Sequence, residues 1–138
     1  MSIKNIPLLL AGGFSALPFS ILVFPPLLII GFYIFLKRLL VCQSLKESFL
    51  IGFIFSFGYF LVGLHWIIFP LTFDDKFKFL IPFAIIIFPA FFSLFNCTAS
   101  IFCTLYFKIF NKKNYFYSSS LVLSIIFFGV ELLRSKIF

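Results

Sequence analysis

Charge is what this sequence has least of. Only 11% of its 138 residues are Asp, Glu, Lys or Arg, where a water-soluble domain carries about 25%. So few charges cannot cover a water-facing surface, which excludes an ordinary soluble domain. Histidine and tryptophan occur once each, at His65 and Trp66, and cysteine three times. One His, with three Cys that contain no C-x-x-C pair, cannot complete a plausible zinc set. Cys42, Cys97 and Cys103 lie in or beside apolar segments and read as small packing residues. Of four acidic residues, Asp74 and Asp75 are adjacent with no other ligand-type side chain nearby. They read as a solvated turn and not as a cation site or an acid–base pair. Also missing are G-x-S-x-G, H-E-x-x-H and any phosphate-binding Gly loop. The residues therefore give no catalytic, cofactor or metal site.

What is present is apolar. Hydrophobic residues make up 63% of the chain, and 26 of them are Phe. Phe, Ile, Lys, Asn and Tyr share AT-rich codons, and nine Lys against two Arg follow the same bias. Phe serves as well as Leu in lipid, so this excess needs no special aromatic function. The net charge of +7 comes from basic residues that flank apolar runs and form no block of their own. They read as topology signals, and nucleic acid is excluded as a partner.

A membrane helix needs about 20 predominantly apolar residues. Four or five stretches qualify: Ile6 to Phe24; Pro25 to Leu36, extending to Val41 if Lys37 and Arg38 snorkel; Phe49 to Leu71; Phe79 to Phe107; and Tyr115 to Leu133. Pro25 and Pro26 suit a helix start, and Pro82 and Pro89 are candidate kinks. Strict alternation is absent, which disfavours a transmembrane barrel. The first run is too long for a signal-peptide core and reads as a retained helix. The expected fold is thus an all-α, multi-pass transmembrane bundle of four to five helices over residues 1–138. Lys4, Lys37, Arg38, Lys46, Lys108, Lys112 and Lys113 fall at alternate loops, so the N-terminus is expected in the cytoplasm. Five crossings then put Glu131, Arg134 and Lys136 on the far side.

Helix faces carry further information. Gly52, Ser56, Tyr59, Gly63 and Trp66 recur at steps of four and three and form one stripe, with His65 pointing away on the side of Gly58. Small residues on such a stripe let another helix approach closely. Ala90, Ser93, Cys97, Ser100 and Thr104 form a second small stripe, and Ser120, Ser124, Phe127, Glu131 and Arg134 share a third face. His65 reads as an interfacial or packing residue, and Trp66 as part of an aromatic belt. Glu131 and Arg134 are three apart and can meet on one face. That pair either neutralises a helix end or presents charge to a head group or a following domain.

Three blocks in order, "LLLAGGFSALPFSILVFPPLLIIGF", "IGFIFSFGYFLVGLHWIIFPLTFD" and "GVELLRSKIF", resemble the N-terminal membrane region of apolipoprotein N-acyltransferases. Trp66, Glu131 and Arg134 are the matching positions; Ser135 replaces the family's usual Gly, and His65 stands where a less basic residue is expected. The resemblance implies transfer of an acyl chain from a phospholipid to the α-amino group of a diacylglyceryl-modified lipoprotein cysteine. It implies residence in the bacterial inner membrane and contact with membrane phospholipid. In the family the chemistry belongs to a nitrilase-like domain with a Glu-Lys-Cys triad, which forms a thioester before the amine takes the acyl group. None of the three Cys here matches that nucleophile. The chain is therefore expected to be an amino-terminal fragment, inert alone, with the remainder of the enzyme a possible separate partner chain. Trp66, Glu131 and Arg134 are the candidate lipid-surface or domain-docking residues. The rival expectation is an independent small multi-pass scaffold or lipid-binding protein.

Overall fold

A computed structural model of the chain describes residues 5–20, 26–73, 75–110 and 116–137. Every regular element among them is helical: α1 Ile6–Ser20, α2 Pro26–Val41, α3 Leu45–Gly63, α4 Ile68–Thr72, α5 Ile81–Ile109 and α6 Phe116–Ile137. Two 3-10 segments, His65–Ile67 and Asp75–Leu80, flank α4. The expected all-α membrane bundle is the observed fold. Three helices, within Leu45–Gly63, Lys78–Ile109 and Ser118–Lys136, are long and apolar enough to cross a membrane. At 15 and 16 residues, α1 and α2 are shorter than the usual span. The junction between them lies outside the described residues.

The third helix differs from its expected bounds at both ends, and local chemistry explains each difference. It starts at Leu45, not Phe49, because Ser44 caps it: the Ser44 hydroxyl accepts from the Glu47 N–H at 3.1 Å. Glu47 reciprocates by accepting from the Gln43 N–H at 3.2 Å, a variant of the capping box. It ends at Gly63, not Leu71. Pro70 would leave a continuous helix without a backbone donor and with a ring clash, but it is tolerated in the first turn of the separate helix α4. His65 seals the break by donating from Nδ1 to the Val62 carbonyl at 2.7 Å.

α3 is the centre of the bundle, with α1 on one side and α5 on the other. It runs parallel to α1, with Gly12 beside Phe55 and, further along both helices, Ala16 beside Gly63; Gly12 sits against the Phe55 carbonyl, and Gly58 against the Leu9 carbonyl. A Cβ would stand 2.0 Å and 2.2 Å from those oxygens, so only glycine permits this backbone-to-backbone approach. Against α5 the direction is antiparallel. Gly52 meets Ser100 and Cys97, and Ser48 donates to the Ser100 carbonyl at 2.8 Å. Thr104 in turn donates to the Ser48 hydroxyl at 2.7 Å. The second small stripe is therefore the buried face of α5, with Ser93, Cys97, Ser100 and Thr104 at 0–2% exposure. The first stripe is corrected. Gly52 and Ser56 are buried on it, but a Cβ at Gly63 would meet only Ala16, at an ordinary 3.7 Å. Gly58, assigned to the opposite side, makes the closer contact.

Phenylalanine has a second use besides facing lipid. Phe35 of α2 stacks on Phe55 of α3 at 4.4 Å between centroids, and Phe127 of α6 meets Phe35 edge-on at 5.7 Å. Phe32 adds edge contacts to Phe55 and Phe127. Edge-to-face and offset pairs of this kind add stabilisation beyond area burial. This cluster ties α2, α3 and α6 together, which the small-residue seams do not.

Candidate functional site

The C-terminal ends of α1 and α3 and the start of α5 share one end of the bundle, by the register just given, and the contacts of Arg134 bring the end of α6 to it. There α6 carries Glu131 and Arg134 one turn apart, and the two side chains form an ion pair. Arg134 does more than neutralise its neighbour. Its guanidinium lies over Phe92 of α5 at 5.1 Å and over Phe60 of α3 at 5.7 Å. Phe60 and Phe92 are themselves 5.5 Å apart. The planar, delocalised cation suits such a seat better than an ammonium would. Arg134 is 23% exposed and Glu131 52%, so the cation points into the bundle and the acid toward its edge.

Beneath this pair is a cavity of about 390 Å³. Its walls are aromatic, from Phe32, Phe55, Phe60, Phe127 and Phe128, and its polar groups are Tyr59, Asn96, Glu131 and Arg134. A second cavity, of about 490 Å³, runs between α2 and α6 and shares Phe32 with the first. It is lined by Ser120 and Ser124 on the α6 side. The whole expected face of the last helix thus looks into one seam. Apolar walls below a charged rim fit an amphiphile or an apolar segment. Among the residues that line the two cavities there is no thiol. All three cysteines are buried elsewhere. Among the described residues no group of three or more His, Cys, Asp or Glu is placed to hold a metal.

The structure brings two of the three expected site residues together. Glu131 and Arg134 meet; Trp66 does not line either cavity. It sits on the 3-10 turn after α3 and is 56% exposed, because the break at Gly63 takes it off the α3 stripe. Residues of the site not expected from the sequence include Phe60 and Phe92, whose rings receive Arg134, and Asn96. Asn96 carried a signal, as a lone amide inside an apolar helix. Phe60 and Phe92 carried none among 26 Phe.

A helical bundle with span-length apolar helices, closed at one end by a partly buried ion pair, defines an all-α membrane protein. The chain belongs to the apolipoprotein N-acyltransferase N-terminal domain family, whose model matches residues 11–138. No curated protein and no solved structure matches it.

Proposed function

We propose that the chain serves as the membrane-embedded part of an apolipoprotein N-acyltransferase, in the bacterial inner membrane with its N-terminus in the cytoplasm. The observation that carries this reading is the family match over residues 11–138. In this reading α1 and α2 also cross, helped by snorkelling of Lys37 and Arg38. Glu131, Arg134 and Trp66 then lie at the outer surface. Glu131 and Arg134 present a rigid charged edge to phospholipid head groups or to the catalytic portion of the enzyme, and Trp66 anchors that side in the interface.

By itself the chain does not transfer acyl groups. Acyl transfer needs an activated nucleophile, a base and donors for the developing oxyanion. Cys97 and Cys103 are fully buried on the packed face of α5, and Cys42 is buried beneath Ser44. The test is direct: purified chain, phospholipid and a diacylated lipopeptide are incubated together, and N-acylation is followed by mass spectrometry. No triacylated product is expected, whereas addition of a catalytic nitrilase-like portion of the same enzyme restores it. Thioester formation on Cys42, Cys97 or Cys103 in the chain alone would refute the reading.

A further inference from the structure

Between α3 and α5 the chain turns large aromatic side chains outward: Trp66, Phe69, Phe73 and Phe79 are 56%, 63%, 89% and 67% exposed. The same stretch carries the exposed ion pair of Asp75 and Lys78, at 2.5 Å. Its other side is held. Leu64, Ile67 and Ile68 enclose a cavity of about 210 Å³ with Ala84, Ile85 and Pro89 of α5. A stretch fixed on one side that shows four aromatic rings and charged groups on the other is amphipathic at short range. That is the composition of a membrane–water boundary, where aromatic rings and snorkelling lysines are both satisfied.

Register fixes the depth. Phe60 of α3 lies against Phe92 of α5, so Gly63, three residues later, is level with Pro89, three residues earlier. The α5 residues Ile81–Phe88 then rise ~12 Å beyond the end of α3 at 1.5 Å per residue. From Lys46 to Gly63, α3 covers ~26 Å, a little short of the ~30 Å hydrocarbon thickness. A hydrocarbon slab that begins at Lys46 therefore ends within about a turn of Trp66. The exposed apolar residues Ile86 and Ile87 of α5 lie at about that level.

We propose that residues 65–73 and 75–80 form a membrane-surface anchor whose partner is the phospholipid headgroup layer. Trp66 marks the hydrocarbon boundary, and the Asp75–Lys78 turn, which precedes the projecting Ile81 end of α5, stands further out, among the head groups. Asp74 and Asp75 balance Lys76 and Lys78 in formal charge, so zwitterionic head groups suffice and anionic lipid is not required. The anchor works as short in-plane amphipathic elements do, by burying aromatic area at the interface while polar groups stay wet. This inference rests on the membrane reading of the chain and not on acyl transfer.

Trp66 is the single tryptophan of the chain, so its emission reports this site alone. The whole chain is reconstituted in phosphatidylcholine vesicles that carry a nitroxide either near the head group or deep in the acyl chain. Trp66 should lose most of its emission to the shallow label, less to the deep one, and little to aqueous iodide. In a Trp66→Phe, Phe73→Trp variant of matching helicity, the emission should be redder and more sensitive to iodide, because Phe73 is two residues from the exposed Asp75–Lys78 ion pair. A chain that fails to float with vesicles overturns the membrane reading and the anchor with it. Three results in a chain that does float overturn the anchor alone. They are free quenching by iodide, stronger quenching by the deep label, and protection from iodide and both lipid labels, which would show that protein covers the site.

Discussion

The guanidinium of Arg134 lies 5.1 Å from the ring centroid of Phe92, which fastens the last turns of α6 to α5. Phe60 on α3 offers a second ring at 5.7 Å, so one side chain ties three helices together. Arg134→Ala should cost about 1–2 kcal/mol and lower the melting temperature in detergent. Arg134→Lys should restore only part of that loss, since an ammonium lacks the planar face. Glu131→Gln should be milder, because that carboxylate is half exposed. If Glu131→Gln destabilises as much as Arg134→Ala, the ion pair and not the aromatic seat holds this end.

The close approach of α1 and α3 predicts a contrast between two glycines of α3. A Cβ at Gly58 would stand 2.2 Å from the Leu9 carbonyl, whereas one at Gly63 would meet only Ala16 at 3.7 Å. Gly58→Ala should sharply reduce the yield of monodisperse protein in detergent size-exclusion chromatography, and Gly63→Ala should not. Similar yields would mean that α1 and α3 do not pack through this seam.

The hydroxyl chain Thr104 to Ser48 to the Ser100 carbonyl joins α3 to α5 inside the apolar region. Ser48→Ala removes an acceptor and strands the buried Thr104 hydroxyl, for an expected loss of about 1 kcal/mol. Thr104→Val in addition to Ser48→Ala should cost less than the sum of the two single changes, as residues in one network couple. Strict additivity in thermal unfolding would show that the two hydroxyls act independently.

Cys42, just past the end of α2, has its thiol pushed above the ordinary range, first by burial and then by the Glu47 carboxylate, against a lowering contact with the Ser44 backbone. A raised pKa means less thiolate at neutral pH, and the thiolate is the reactive form. Maleimide labelling of Cys42 in detergent should therefore be slow at neutral pH and accelerate only above the usual thiol range. Glu47→Gln should shift that acceleration to lower pH. Rapid labelling at neutral pH would contradict the buried position.

Orientation is open to the same chemistry. In a background without native cysteines, a cysteine at Thr72 should react with an impermeant reagent from outside the inner membrane. One at Asn111, a position outside the described residues, should react only after the membrane is opened. The opposite pattern would invert the topology that the loop lysines imply.

Much of the bundle was legible because its signals are local. Apolar run length marks the span-length helices. The i,i+3 spacing of Glu131 and Arg134 foretells their meeting, and the alternation of small residues marks the buried face of α5. Even the corrected bounds of α3 had local signs, in Ser44 with Glu47 and in Pro70. A long apolar run masked them, since hydropathy alone does not distinguish one helix from a helix, a break and a second short helix.

The sequence by itself determined that the chain is a membrane helical bundle, and it determined which residues at the end of α6 form an ion pair. Only the tertiary structure decided that Gly58 and Gly12, and not Gly63, carry the seam between α1 and α3. The same holds for the choice of Phe60 and Phe92 to receive Arg134, and for Trp66 standing apart from that site. The physical reason is that lipid is as apolar as a helix face, so hydrophobicity does not say which face turns inward. That choice is made by how closely two particular backbones fit, and fit between helices far apart in sequence is a property of their register in space.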